Sequence, residues 1–299
     1  MEKRQVQGHF LAVFTVVVWG ATFISTKVLL RSFTPVEILF IRFIIAFVAL
    51  FVAHPPFMKG TTWKQELLFA GAGLSGITLY YLMENIALTY TQASNAAVIA
   101  AAAPMFTMLL MRIFYKEKLK ATFFVGFIAA MGGILLISLN GAANLNLNPM
   151  GDLLVLIAAI CWGVYSVIIK KIGSFGFNTI QVTRRTFLYG IIFMIPALFL
   201  MDFNPTVKNL VMPVNLVNFL FLGLCAGALC FVTWNLSVKY LGAVKTSIYI
   251  YLIPLITVIM GVILLDERFT WQTALGTLLT LLGLVLSDGG FLKKRSRAK

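Results

Sequence analysis

Residues 93–118, ASNAAVIAAAAPMFTMLLMRIFYKEK, and residues 243–268, AVKTSIYIYLIPLITVIMGVILLDER, carry one pattern twice. In each, an apolar run long enough for a membrane helix is interrupted near its middle by a proline, Pro104 or Pro254. A threonine follows three residues later, Thr107 or Thr257, and a glutamate closes the run thirteen residues after the proline, Glu117 or Glu267. The copies are 150 residues apart, and the same offset holds outward from them: Asn85 meets Asn235, Tyr90 meets Tyr240, and Gly126 and Gly133 meet Gly276 and Gly283. Toward the N-terminus the offset is 143, where Trp19-Gly20 meets Trp162-Gly163, Lys27 meets Lys170 and Arg42 meets Arg185. A seven-residue insertion between the second and third helices of the second half accounts for the change. The chain is therefore a duplication.

Composition names the solvent. Of 299 residues, 60% are hydrophobic and 11% charged, and the mean hydropathy is +0.95. A water-soluble domain has about 45–50% apolar and roughly 25% charged residues, so this chain has too little polar surface for water and belongs in lipid. A membrane helix needs about 20 mostly apolar residues. Ten such segments stand near 8–30, 35–53, 66–90, 94–114, 121–139, 151–171, 178–200, 215–239, 246–265 and 271–288, with the least hydrophobic joints at 140–149 and 202–213. The joints are too short for a soluble domain. The first segment, behind Lys3 and Arg4, is longer than a signal-peptide core, lacks a small-x-small cleavage site and has an internal counterpart, so it is expected to stay in the fold.

The charge of +14 is scattered between apolar runs without a base-stacking module, which argues against nucleic acid as a partner. It sets orientation instead, because short loops rich in Lys and Arg remain cytoplasmic. With the N-terminus inside, Lys3, Arg4, Lys59, Lys64, Arg112, Lys116, Lys118, Lys120, Lys170, Lys171, Lys239, Lys245 and the five basic residues of 293–299 are cytoplasmic, seventeen in all. Only Lys27, Arg31, Lys208 and Arg268 face the other side, four, while Arg42, Arg184 and Arg185 fall within or at the edge of helices. The expected fold is an all-α integral membrane protein of ten transmembrane helices with both termini cytoplasmic. Five helices per half is an odd number, so the halves, 1–140 and 141–299 with its basic lipid-binding tail, enter the membrane in opposite senses as inverted repeats.

Ten helices in a five-plus-five inverted repeat, Trp-Gly in the first helix of each half, and proline followed thirteen residues later by glutamate resemble the EamA family of the drug/metabolite transporter superfamily. The likeness covers nearly the whole chain. It implies a carrier of the cytoplasmic membrane with a central cavity between the halves, several members being exporters of amino acids and other small metabolites.

Several residues are candidates for that cavity. Trp19 and Trp162 fall near mid-helix rather than in the interfacial belt where tryptophan is usual. Thr22 and Phe23 share the face of Trp19, and Tyr165 and Ser166 that of Trp162. Such an aromatic wall with hydroxyls suits an amphipathic organic molecule. Gly20 and Gly163 allow another backbone to come close beside each indole. Pro104 and Pro254 each remove a backbone donor in mid-membrane; a pair of hinges and a pair of static kinks relieved by Thr107 or Thr257 are equally open, with Tyr249 and Tyr251 just before Pro254. An ionisable group in hydrocarbon is costly, so each is a functional candidate. Glu84 and Arg42 lie at similar depth in the outer half of the membrane, and two roles are open to Glu84: an ion pair with Arg42, or a proton-titrating or amine-binding group. Its repeat partner is Trp234, so the duplication is broken there. Asn85 and Asn235 bind substrate or bridge helices, the second suiting them better. Glu117 and Glu267, beside Lys116, Lys118 and Arg268, read as helix caps and interfacial ion pairs, and Gly126, Gly133, Gly276, Gly283 and Gly223-x-x-x-Gly227 as close helix contacts.

Cys161, Cys225 and Cys230 form no metal-binding pattern and read as packing residues, and His9 and His54 as interfacial ones. No cofactor is implied. No G-x-x-x-x-G-K-[ST] sequence supplies a nucleotide-driven motor. The expected function is a secondary transporter of small organic metabolites, amino acids or related amphipathic or aromatic compounds, exporting by alternating access. Multidrug efflux would use the same lining. A membrane enzyme would need clustered His, Asp or Glu at one interface, and a channel would need polar stripes on several helices; the chain has neither. Monomer and homodimer are equally compatible with it.

Overall fold

Thr34 and Thr62 each stand three residues before a side chain that can reach back, Glu37 and Gln65. The structure, a computed structural model that describes residues 2–116, 121–140, 149–267 and 270–288, forms a capping box at both. The Thr34 amide donates to Glu37 Oε2 at 2.8 Å and the Thr62 amide to Gln65 Oε1 at 2.9 Å, so two helices begin with their first donors satisfied. The described residues form ten apolar rods: α1 Glu2–Leu29, α2 Pro35–Ala53, α3 Trp63–Tyr90, α4 Ala93–Tyr115, α5 Ala121–Asn140, α6 Pro149–Gly173, α7 Thr179–Leu200, α8 Pro213–Leu241, α9 Ala243–Leu265 and α10 Trp271–Asp288. A single turn, Val207–Leu210, lies between α7 and α8. No strand occurs among the described residues. Eight of the rods, α1–α4 and α6–α9, are long and apolar enough to cross a membrane. Their outward faces carry exposed apolar side chains such as Phe10, Ile113, Phe199 and Ile263, a surface suited to lipid.

Four rods are not uniform α-helix, and they correspond in pairs. α3 widens to a π-helix over Leu74–Leu79 and α8 over Phe221–Leu229. α4 is two segments, Ala93–Ala100 and Ala103–Tyr115. α9 passes through a 3₁₀ stretch, Ile248–Leu252, before Ile253–Leu265. Pro104 and Pro254 each occupy the second position of the later segment, where a missing N–H costs least, so the break precedes the proline in both. Thr107 Oγ1 donates to the Ala103 carbonyl at 2.9 Å, and Thr257 Oγ1 to the carbonyls of Ile253 at 3.1 Å and Gly20 at 2.7 Å.

Helix contacts also come in matched pairs. α1 packs along α8 and α9, and α6 along α3 and α4; α2 lies on the π segment of α8, and α7 on α3; α5 and α10 form the most extensive pairing. Most of this packing runs between the halves rather than within them. One corner is tied by charge as well. Glu267, at the end of α9, accepts from the amides of Ala93 at 2.6 Å and Ser94 at 3.1 Å, capping the start of α4. Lys27 of α1 donates to the carbonyls of Leu88 and Thr91 at the end of α3. Glu117, Lys118, Lys120, Arg268 and the basic tail lie outside the described residues.

Lipid tails are as apolar as leucine, so helices in a bilayer associate by close packing. Gly223 and Gly227 lie against Ile45 and Ala46 of α2. At the α5–α10 crossing, a Cβ on Gly133 would stand 2.6 Å from both the Gly276 carbonyl oxygen and the Thr280 nitrogen, and one on Gly283 would stand 2.6 Å from the Gly126 oxygen. Backbone cannot yield there as a side chain can. Gly133→Val should therefore cost about 1–3 kcal/mol and lower the melting temperature in detergent by several degrees. Gly132→Ala, whose Cβ would meet only Leu279 Cδ2 at 3.9 Å, should leave it unchanged; equal losses in both variants would refute the crossing.

Candidate functional site

A π turn loosens the α-helical ladder and leaves a carbonyl free for another partner. In the π segment of α8 the Cys230 amide donates to Cys225 and Gly227 instead of to Ala226, and Trp19 Nε1 donates to the Ala226 carbonyl at 3.1 Å. At the matching position of α3, Gly76, the ring of Tyr165 covers the backbone, and the buried Nε1 of Trp162 has no hydrogen-bond partner. Two tryptophans that correspond in sequence thus differ in bonding. They meet edge to face, centroids 5.4 Å apart at 89°, and Trp234 packs against Trp19 at 5.0 Å in a tilted contact.

In front of this pair lies a small cavity. α1 contributes Trp19, Thr22 and Phe23; α3 contributes Tyr80, Tyr81 and Glu84; α6 contributes Trp162; α9 contributes Ile250 and Ile253. The α4 wall is small, Ala97, Ala100, Ala101 and Ala103, which leaves room beside the break before Pro104. Tyr80 and Glu84 are one turn apart on α3 and share a face, with the Tyr80 ring 5.1 Å from that of Trp162. Glu84 is the single carboxylate among the lining residues and is 2% exposed. A lone carboxylate ringed by Trp and Tyr is chemically a receptor for an organic cation: the carboxylate pairs with an ammonium group and the ring faces attract it.

The other residues singled out from sequence lie elsewhere. Asn85 Nδ2 donates to the Pro35 carbonyl at 3.1 Å, tying α3 to α2. Asn235 bridges α8 to two helices, donating to Thr183 Oγ1 at 3.0 Å and accepting from the Tyr165 hydroxyl at 3.2 Å; it also borders a second hollow with Lys170 and Lys239. Ser166 turns its hydroxyl onto the carbonyl of Trp162 in its own helix, as Thr22, which does line the cavity, does onto that of Trp19. Tyr249 meets His9 Nδ1 at 2.5 Å, away from the cavity, and Tyr251 packs with Ala101, Met105 and Ala130. The 3₁₀ winding of Ile248–Leu252 turns Ile250 inward in their place. Tyr80 and Tyr81 escaped the sequence reading, although Tyr80 precedes Glu84 by one helical turn.

An ion pair between Arg42 and Glu84, one of the two roles open to Glu84, is not formed. Arg42 is 0% exposed, and its guanidinium lies over the Tyr81 ring at 4.4 Å and against Phe43 at 5.3 Å. Arg185, its counterpart, does find an acid, Glu66 at 3.0 Å, and the Tyr189 hydroxyl donates to that carboxylate at 2.6 Å.

The unequal indoles give a direct test. Trp19→Phe and Trp162→Phe remove similar volume, but only the first leaves a buried acceptor unpaired. Trp19→Phe should therefore be the less stable by about 1 kcal/mol in detergent melts, and the reverse order would contradict the Trp19–Ala226 bond.

A model of the EamA-like transporter family matches the chain twice, at residues 6–139 and 149–287. An uncharacterized transporter of Archaeoglobus fulgidus is 27% identical over 291 residues, covering 93% of this chain and 96% of its own. A probable terminal-alkyne amino-acid exporter of Streptantibioticus cattleyicolor is 25% identical, covering 96% and 95%. A crystal structure matches the fold over 100% of both chains with a TM-score of 0.67 at 19% identity. Two family matches, one in each half, together span nearly all of the chain, and it belongs to the EamA-like transporters of the drug/metabolite transporter superfamily, which are membrane carriers and not enzymes.

Proposed function

We propose that this transporter is a secondary carrier that exports small organic metabolites, amino acids or related amphipathic and aromatic compounds, across the cytoplasmic membrane by alternating access. The observation that carries the proposal is Glu84 in the aromatic cavity where α1, α3, α4, α6 and α9 converge, with walls drawn from both halves of the duplication. A compound with an ammonium group and an apolar body fits that wall chemistry, and one relative is named an amino-acid exporter. The proposal includes ten membrane-crossing helices in two inverted repeats, 1–140 and 141–299, with both termini cytoplasmic. The excess of Lys and Arg on one face supports that orientation, and the paired helix contacts support the two-repeat arrangement. The breaks before Pro104 and Pro254 supply matched places for the halves to flex. A gradient drives the cycle, since the chain has no P-loop sequence.

Reconstitution into proteoliposomes with labelled amino acids, amines and drugs, with and without an imposed pH gradient, tests the proposal. Substrate-dependent flux of at least one amine-bearing compound is expected, and absence of flux for every compound would sink it. In the same assay Glu84→Gln should cut flux by about tenfold or more, the loss of one buried charge-assisted contact, while expression and melting temperature stay near wild type. Unchanged flux and unchanged pH dependence in Glu84→Gln would remove Glu84 from the mechanism.

A further inference from the structure

Arg42 stands seven residues inside α2, about 10 Å from its start. It is 0% exposed, yet none of its three guanidinium nitrogens has a hydrogen-bond partner. Stacking on Tyr81 and Phe43 satisfies the face of the group and leaves its ring of N–H donors unused. A buried charge with unused donors is costly and calls for a partner.

The other half of the duplication shows what this position holds when it is complete. Arg185 keeps an acid on the facing helix, Glu66 of α3. At the offset of 150 the counterpart of Glu66 is Leu216 of α8, apolar and 45% exposed, so Arg42 has no equivalent acid. Glu84, the acid of the cavity, is not within ion-pair distance of it. Tyr81, over whose ring the Arg42 guanidinium lies at 4.4 Å, lines the same space as Glu84.

We propose that Arg42 is the carboxylate receptor of the transport site: a zwitterionic substrate places its ammonium group on Glu84 and, as the Tyr81 ring turns aside, its carboxylate on the guanidinium fork. Arginine is suited to this because its planar fork binds a carboxylate through two parallel bonds. The assignment rests on the carrier reading above and narrows it, from amine-bearing metabolites to those that also carry a carboxylate.

The test compares the protein amino acids with their methyl esters and decarboxylated amines, as competitors of flux in proteoliposomes and as ligands quenching tryptophan fluorescence. Wild type should prefer the best-bound free amino acid over its ester and its amine by about tenfold or more. Arg42→Met should abolish that preference while binding the amines within about twofold of wild type. Arg42→Lys, which keeps the charge and loses the fork, should weaken the free amino acid by about tenfold and leave the amines unchanged, and it keeps the test available if Arg42→Met does not fold. A wild-type protein that carries amines and does not favour free amino acids would overturn the assignment and leave the carrier standing. Equal weakening of amino acids and amines in the variants would make Arg42 structural, and recovery of flux in the double variant Arg42→Met, Glu84→Gln would make Glu84 its partner; either result overturns the assignment. No flux for any compound would fail the carrier reading itself, and this assignment with it.

Discussion

Within a bilayer the backbone has no water to bond to, and helices gain nothing by hiding apolar side chains from equally apolar lipid. Association then depends on how closely backbones approach, and here they do so on matched small residues. Gly133 meets Gly276 and Thr280, Gly283 meets Gly126 and Ala130, Gly20 lies against Ile256, and Gly163 lies against Phe106 and Thr107. Each of these contacts joins one half of the duplication to the other. Because the halves interlock rather than sit side by side, the space left where they cross is central, and its walls are drawn from both.

Duplication supplies two of everything, and chemistry enters where the copies differ. Trp19 uses its indole N–H on a carbonyl released by a π turn, whereas that of Trp162 stays unused. Glu84 faces the cavity, while its counterpart Trp234 packs against Trp19. Arg185 has its acid at ion-pair distance and Arg42 does not. A symmetric site would suit a symmetric ligand; a site with one carboxylate on its wall and one unmatched guanidinium over a ring that lines it has two chemically distinct ends. Away from the cavity the copies stay alike, in the breaks before the two prolines, in the left-handed residues Lys116 and Asp266 that end α4 and α9, and in the glycines of the α5–α10 crossing.

Much of this was legible from residue types alone. Apolar runs marked the helices, Pro104 and Pro254 marked breaks that the chain does make, and Trp19, Thr22, Phe23, Trp162 and Glu84 do border one cavity. An ideal 3.6-residue period does not describe the 3₁₀ winding in α9, where the side chains rotate relative to a uniform helix and Ile250 lines the cavity in place of Tyr249 and Tyr251. Tyr80, in contrast, stands one ordinary α-helical turn before Glu84.

By itself the amino-acid sequence determined the solvent, the helical class, the duplication and the family, because these rest on hydropathy, length and repeat spacing, which need no third dimension. The tertiary structure alone decided which helices touch, that Arg42 lies over the Tyr81 ring without an ion pair to Glu84, and that Asn85 and Asn235 tie helices together. Those outcomes depend on local winding and on contacts between residues up to 240 positions apart, and the pattern along a single strand of sequence does not encode either.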